Sequence, residues 1–248
     1  MINLNVNLNK LNDTSIDILA FGAHPDDVEC AAGGVVLSTT ASGGKVVIAD
    51  LSRGEMGTFG DPVSRKQEAE LASKILGLQD RIQLDMGDGN IENSQKNRLE
   101  IIRLIRRYRP KIILANAIND RHPDHQKASD LVSQASFLSG LKKVETIDDG
   151  ILQKPWRSKA VYHYIQDYFI EPNIVVDISA FYKQKMSAIK TYQTQFISAV
   201  DQQANGTISL LKQIESTNCI FGRAINVRYA EGFTTERYVG TTNLLELL

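Results

Sequence analysis

The sequence predicts an α/β fold: a Rossmann-like, doubly wound, mostly parallel sheet with helices on both faces, followed by a less regular C-terminal part. Two observations carry this. Through the first half of the chain, short continuously apolar runs alternate with longer segments whose apolar residues recur at helical spacing, the pattern of strands buried on both faces and the helices that cover them. Polar clusters follow directly after the apolar runs, where the loops at the carboxyl edge of such a sheet form ligand sites.

Residues 1 to about 14, rich in Asn and Leu, read as a weakly ordered arm, and 15–248 as one domain. Ile16 to Phe21 is the first strand, and its helix runs from about Glu29 toward Ser42, ending at Gly43-Gly44 as helices commonly end. Ala31, Ala32, Gly33 and Gly34 allow that helix a close approach to its neighbours. Lys45 to Leu51 is the second strand, and the glycine-bearing loop Ser52 to Gly60 is long enough to suggest a functional role. Asp61-Pro62 reads as an N-cap and first helical residue of a helix through Arg65, Glu68, Ala72 and Ile75. Arg65 sits in its first turn, where a cation opposes the helix dipole, and such a broken local rule marks a candidate for function.

Arg81 to Leu84 is a short strand, Asp85 to Asn90 a turn-rich loop, and Ser94 to Tyr108 a helix with Leu99, Ile102 and Ile105 on its apolar face. The basic residues Arg103, Arg106, Arg107, Arg109 and Lys111 read as its solvated face. Strand Lys111 to Ala115 comes next, and a helix follows His125 to about Leu138. Further on, Val161 to Ile165 and Ile174 to Ile178 read as strands, Ser179 to Phe196 as one long helix, Gln202 to Gly206 as a polar loop, Thr207 to Phe221 as a helix and Asn226 to Ala230 as a last strand.

Composition narrows the function classes. With 28 basic and 29 acidic residues the net charge is −1, which recommends no nucleic-acid partner. Two cysteines, Cys30 and Cys219, make no disulfide framework and suit a reducing compartment; Cys30 reads as a small packed thiol rather than a ligand. The N-terminus lacks the pattern of a signal peptide and no apolar run is long enough to span a bilayer, so the expectation is a cytoplasmic protein without a membrane partner.

Three of the four histidines lie in two clusters, Ala23-His24-Pro25-Asp26-Asp27-Val28-Glu29 and Asp120-Arg121-His122-Pro123-Asp124-His125, each directly after an apolar run. A catalytic zinc takes three protein ligands of the His and Asp/Glu kind and keeps one position for water. His24 and Asp27, three apart in one turn, can face one point, and His125 can supply the third ligand. Two imidazoles and one carboxylate leave the ion a net positive charge that acidifies its water. Asp26 is then spare as a general base, His122 as an oxyanion stabiliser or acid in its protonated form, and Asp124 as a carboxylate that fixes an imidazole tautomer. The same donors accept Fe2+ as well as Zn2+. His-Pro-Asp alone is ordinary turn and cap chemistry; two clusters with complementary donors at strand ends point to a metal site.

These two motifs resemble the LmbE/PIG-L family of zinc-dependent N-deacetylases that act on N-acetylglucosamine conjugates. The likeness continues through Asp50-Leu51-Ser52-Arg53-Gly54-Glu55-Met56-Gly57-Thr58, Phe137-Leu138-Ser139-Gly140-Leu141, Val161-Tyr162-His163-Tyr164-Ile165-Gln166 and Tyr229-Ala230-Glu231-Gly232-Phe233-Thr234-Thr235-Glu236-Arg237-Tyr238. These longer blocks resemble the bacillithiol-biosynthesis branch, whose substrate is an N-acetylglucosaminyl malate. The resemblance implies a small sugar conjugate as substrate, Arg65 and Arg157 on the substrate side, and a homo-oligomer, hexamers being frequent in the family. Phe59 stands where the branch would carry Arg or another polar residue, and Cys30 where an aliphatic residue or Gly is usual. The alternative substrate is a chitooligosaccharide or another thiol precursor. An oxidoreductase that binds a dinucleotide shares the strand-helix pattern but needs Gly-x-Gly-x-x-Gly after the first strand, where this chain has Gly22-Ala23-His24-Pro25-Asp26-Asp27.

Overall fold

The computed structural model describes residues 15–196 and 207–247; the N-terminal arm and the polar loop of 202–206 lie outside the described residues. Strands β1 (Ile18–Gly22), β2 (Val46–Asp50), β3 (Asp80–Gln83), β4 (Ile112–Ala115) and β7 (Ala160–Tyr164) run parallel. Strand β9 (Ala230–Thr235) lies antiparallel between β7 and β8 (Ile174–Asp177), so the order is β3-β2-β1-β4-β7-β9-β8. A separate hairpin, β5 (Ile147–Asp148) and β6 (Ile151–Leu152), turns through Asp149 and Gly150 at φ 48° and 77°, as a two-residue hairpin turn requires.

The parallel strands are buried on both faces. Ile18, Ala20, Val46 and Ile48 pack against α1 (Asp27–Ala41), α2 (Pro62–Leu76) and α5 (Tyr182–Ile189). Leu19, Phe21, Val47 and Ala49 face α3 (Gln95–Tyr108) and α4 (Pro123–Ser139). Chain order reverses direction across the sheet between β1 and β4, and crevices at such a switch point hold ligands. Both histidine clusters leave the sheet there.

Several boundaries differ from the sequence reading. Helix α4 begins at Pro123, so His125 lies in its first turn rather than ahead of it; proline at the first helical position supplies a preset φ. The long helix expected over 179–196 is two pieces, α5 and α6 (Gln193–Phe196). Apolar spacing continues across the break at Ile189, Tyr192 and Phe196, but the Thr191 hydroxyl donates back to the carbonyls of Ala188 and Glu68. Helix α7 (Thr207–Ala224) ends in a turn with Asn226 at φ 66°, which delays the last strand to Ala230. Arg106 is not solvated: it is buried and donates to the carbonyls of Ser139, Leu141 and Val144. Gly34 gives α1 the expected close approach, since a Cβ there would lie 2.5 Å from Ile178.

Candidate active site

The first cluster sits between β1 and α1. Asp26 caps α1 at φ 116°, a backbone conformation that a non-glycine residue holds only under constraint. This turn directs Asp26 and Asp27 differently: Asp26 lines the open cavity, and Asp27 is held inward. One Asp27 oxygen accepts from the His24 backbone N–H (2.9 Å) and from Asn116 Nδ2 (3.0 Å), and the other from Gln166 Nε2 (3.0 Å). Asn116 Oδ1 in turn accepts from the Ala23 N–H at 2.9 Å, tying the end of β4 to the turn after β1.

The second cluster caps α4. His122 Nδ1 accepts from the Asp124 N–H at 3.2 Å. That bond keeps Nδ1 unprotonated and leaves Nε2–H as the ring's donor. Burial and the neighbouring His24 and His125 push His122 below its ordinary value, and the helix N-terminus opposes a cation there as well. These influences disfavour the protonated form that the sequence reading assigns to His122.

His125 Nε2 lies 3.1 Å from Asp27 Oδ1, and His24 Nδ1 lies 3.6 Å from Asp27 Oδ2. Donors about 2 Å from a tetrahedral ion are about 3.3 Å from one another, and each imidazole is near that distance from one oxygen of Asp27, His125 from Oδ1 and His24 from Oδ2. The far nitrogens face carboxylates, as ion-binding imidazoles usually do. His125 Nδ1 pairs with Asp120, and His24 Nε2 is 3.0 Å from Asp88 and 3.6 Å from Asp124. Among the described residues, the groupings whose donors all lie within 4.8 Å of one another are His24 with His122 and His125, and His24 with Asp88 and Asp124; Asp27 lies beside both His24 and His125 without completing such a group with them.

Electrostatics follow from this packing. Burial alone would lower His125, yet Asp27 and Asp120 lift it to about 9; Asp124, Asp27 and Asp88 likewise lift His24 despite its burial. Burial raises Asp27, but His125 and His24 outweigh it and hold the carboxyl well below the usual range. Asp26 is pushed the other way, to about 7, by burial against the counter-pull of Arg65. A carboxylate that titrates near neutrality is suited to accept and return a proton.

Arg65 reaches the site from α2. Its guanidinium donates to the Pro25 carbonyl and lies 3.4 Å from Asp26. Gly54 makes room for it, since a Cβ there would approach its guanidinium to 3.1 Å. Arg157 is not brought to the cluster. It lies 5.1 Å over the Phe137 ring and lines a separate cavity with Glu236 and Tyr238. Phe59 contributes through its backbone, its carbonyl accepting from Gln195 Nε2.

Sequence reasoning missed Asp88, Asn116, Asp120 and Gln166 as supports. Asp120 offered a signal, lying in the same loop five residues before His125. The fourth histidine, His163, is a structural residue, held by Ser129, the Asn116 carbonyl and Glu236.

A cavity of about 470 Å³ opens over these groups, with Met56, Gly57, Arg121 and Gln195 on its rim. Among the described residues, no helix is long and apolar enough to cross a membrane.

The chain is similar to several known proteins. Residues 19–136 match the PIG-L family, described as GlcNAc-PI de-N-acetylase. The chain is 31% identical to the diacetylchitobiose deacetylase of Thermococcus kodakarensis, over 90% of this chain and 85% of that one. The conserved protein TT1542 of Thermus thermophilus is 34% identical with a TM-score of 0.81, covering 92% of this chain and 97% of its own. At 20% identity and a TM-score of 0.75, the 4-carboxy-2-hydroxymuconate hydratase GalB of Pseudomonas putida KT2440 shares the fold over 92% of this chain and all of its own. A hydratase on this scaffold means that the fold alone does not fix the reaction.

Proposed function

The chain belongs to the PIG-L/LmbE family of deacetylases, and on that premise we propose that it hydrolyses the acetamide of an N-acetylglucosamine-type sugar, most simply a short chitooligosaccharide, with the help of a divalent ion. The observation that carries this reading is the placement of Asp27 between His24 and His125, with the spare carboxyl of Asp26 turned to the open cavity. One relative, 31% identical, is named for its action on diacetylchitobiose, and Arg157, the expected malate anchor, lines a different cavity. Both favour the chitooligosaccharide over the malate conjugate.

His24, Asp27 and His125 would hold the ion, Zn2+ fitting two imidazoles and a carboxylate and Fe2+ being the other ion these donors accept. When bound, the ion supplies Lewis acidity to water and to the acetamide carbonyl. Asp26 takes the proton released as water adds to the carbonyl carbon, and its position near neutrality lets it pass that proton to the departing nitrogen. His122 donates from neutral Nε2–H to the developing oxyanion. Arg65 holds Asp26 in place and limits how far its affinity for a proton rises. Acetate and a free amine result.

Acetate release tests this across N-acetylglucosamine, N,N'-diacetylchitobiose and N-acetylglucosaminyl malate, with ion-loaded protein. We expect diacetylchitobiose to give the highest kcat/KM. A malate conjugate cleaved more than tenfold better would return the assignment to the branch that the sequence motifs resemble, and no acetate from any of the three would overturn it.

A further inference from the structure

A second cavity meets the first at Asp26, Asp27, Arg121 and His125, and its character is opposite. It measures about 120 Å³ and runs between α1, β9, α7 and the segment that follows β7; α7 brings Leu210 and Ile214 to it. Ala31, Ile165, Phe196, Ile214 and Phe221 wall it, each of them buried. Most of its polar members are already engaged, Arg121 and Gln213 with Asp167. Gln166 uses both ends of its amide on Asp27, Asn116 and the Ala117 N–H, and Asn218 does the same on Lys185 and the Ala230 carbonyl. Little is left there to bind a hydroxylated sugar, and apolar groups are favoured in such surroundings.

An amide reacting at Asp26 extends in two directions from its carbonyl carbon, one through nitrogen to the sugar and the other into the acyl chain. The polar cavity of about 470 Å³ suits the sugar. The apolar one is larger than a methyl group needs: apolar cavities of about 150 Å³ hold benzene. Resting on the deacetylase reading above, we propose that this cavity is an acyl pocket and that the enzyme releases N-acyl groups longer than acetyl, of about three to six carbons, from an amino sugar. In that reaction water adds to the acyl carbon, the C–N bond breaks, and a short-chain carboxylate leaves with a protonated amine. The proton lost by water goes to nitrogen through Asp26.

The test is the rate of free-amine formation from N-acetyl-, N-propionyl-, N-butyryl- and N-hexanoylglucosamine, with the ion-loaded wild-type protein. Each methylene buried in the pocket favours the reaction by up to about fourfold, so kcat/KM for N-butyryl, with two more methylenes, should exceed that for N-acetyl by up to about fifteenfold. Ile214→Phe, and independently Leu210→Phe, fill the cavity and should lower the butyryl-to-acetyl ratio of kcat/KM by at least about tenfold. Having two positions guards against one variant that fails to fold. Cleavage of N-acetyl with a drop of a hundredfold or more at N-propionyl would overturn the acyl pocket and leave the deacetylase standing. No turnover of any of the four sugars would remove the deacylase reading and this one with it.

Discussion

Replacing Asp120 with asparagine changes no volume and should nevertheless cost the site its ion. Asp120 Oδ2 faces His125 Nδ1, and its Oδ1 accepts the backbone N–H groups of Asp167 (3.1 Å) and Tyr168 (2.8 Å). All three partners are donors, so the position calls for acceptors on both oxygens. Asparagine offers one acceptor and one donor group. With its oxygen on the two backbone N–H groups, its NH2 faces His125 Nδ1, which must then accept. The ring proton moves to Nε2, the atom 3.1 Å from Asp27 and the one needed by the ion. Loss of such a supporting carboxylate commonly lowers ion affinity 10–100-fold, about 1.4–2.7 kcal/mol, and the switch of tautomer places Asp120→Asn at the upper end. Competition with a chelator of known affinity measures it, with thermal unfolding of the ion-free protein as the check on folding. Wild-type affinity in a folded Asp120→Asn protein would refute the assignment of His125 Nε2 as a ligand atom.

His122→Ala should keep the ion, because Asp27 rather than His122 completes the set, while kcat falls by about 10²–10³ and KM changes little; loss of the ion would instead favour the grouping of three imidazoles. Arg65→Met should move the acid limb of the kcat/KM profile to higher pH. The sign follows from Asp26, which works deprotonated: its value near 7 is already raised by burial and held down by Arg65, so removing the cation raises it further. Arg65→Lys should restore the limb, and an unmoved limb in Arg65→Met would separate Arg65 from Asp26. Lys185 and Glu231 form a fully buried pair at 2.8 Å, and Glu231 also accepts the N–H groups of Gly34 and Val35. Lys185→Met leaves that carboxylate without its cation and should cost about 3–5 kcal/mol of stability by denaturant unfolding; a loss under about 1 kcal/mol would show that the helix N–H groups alone suffice.

The parts of the site visible in the sequence are those that local chemistry writes down. Continuous apolar runs before His24 and before His122 placed both clusters at strand ends, and parallel β1 and β4 lie side by side at the switch point. Spacing in the sequence gives Asp26 and Asp27 different proposed roles, although the backbone conformation at Asp26, φ 116°, that turns them apart has no sequence signature. Asp88, Asn116 and Gln166 come from loops or strand ends after β3, β4 and β7. A lone polar residue there looks like any other until the sheet brings it to Asp27 or His24. The downward pull on His122 comes from burial and from the imidazoles of His24 and His125, which the apolar pattern does not reveal. The C-terminal half was less legible because its antiparallel order and the break after Ile189 depend on contacts with α1 and α2, such as Tyr192 with Glu29 and Thr194 with Glu68.

The division of labour between Asp26 and Asp27 is tested most directly by Asp26→Asn, with ion content and turnover of N,N'-diacetylchitobiose measured on the same sample. Asparagine keeps the shape and removes the proton acceptor, so the protein should hold its ion at wild-type stoichiometry while acetate release slows by about 10²–10⁴. Undiminished turnover with the ion in place would contradict the assignment of Asp26 as the base, and loss of the ion would make Asp26 a ligand and leave Asp27 without its role.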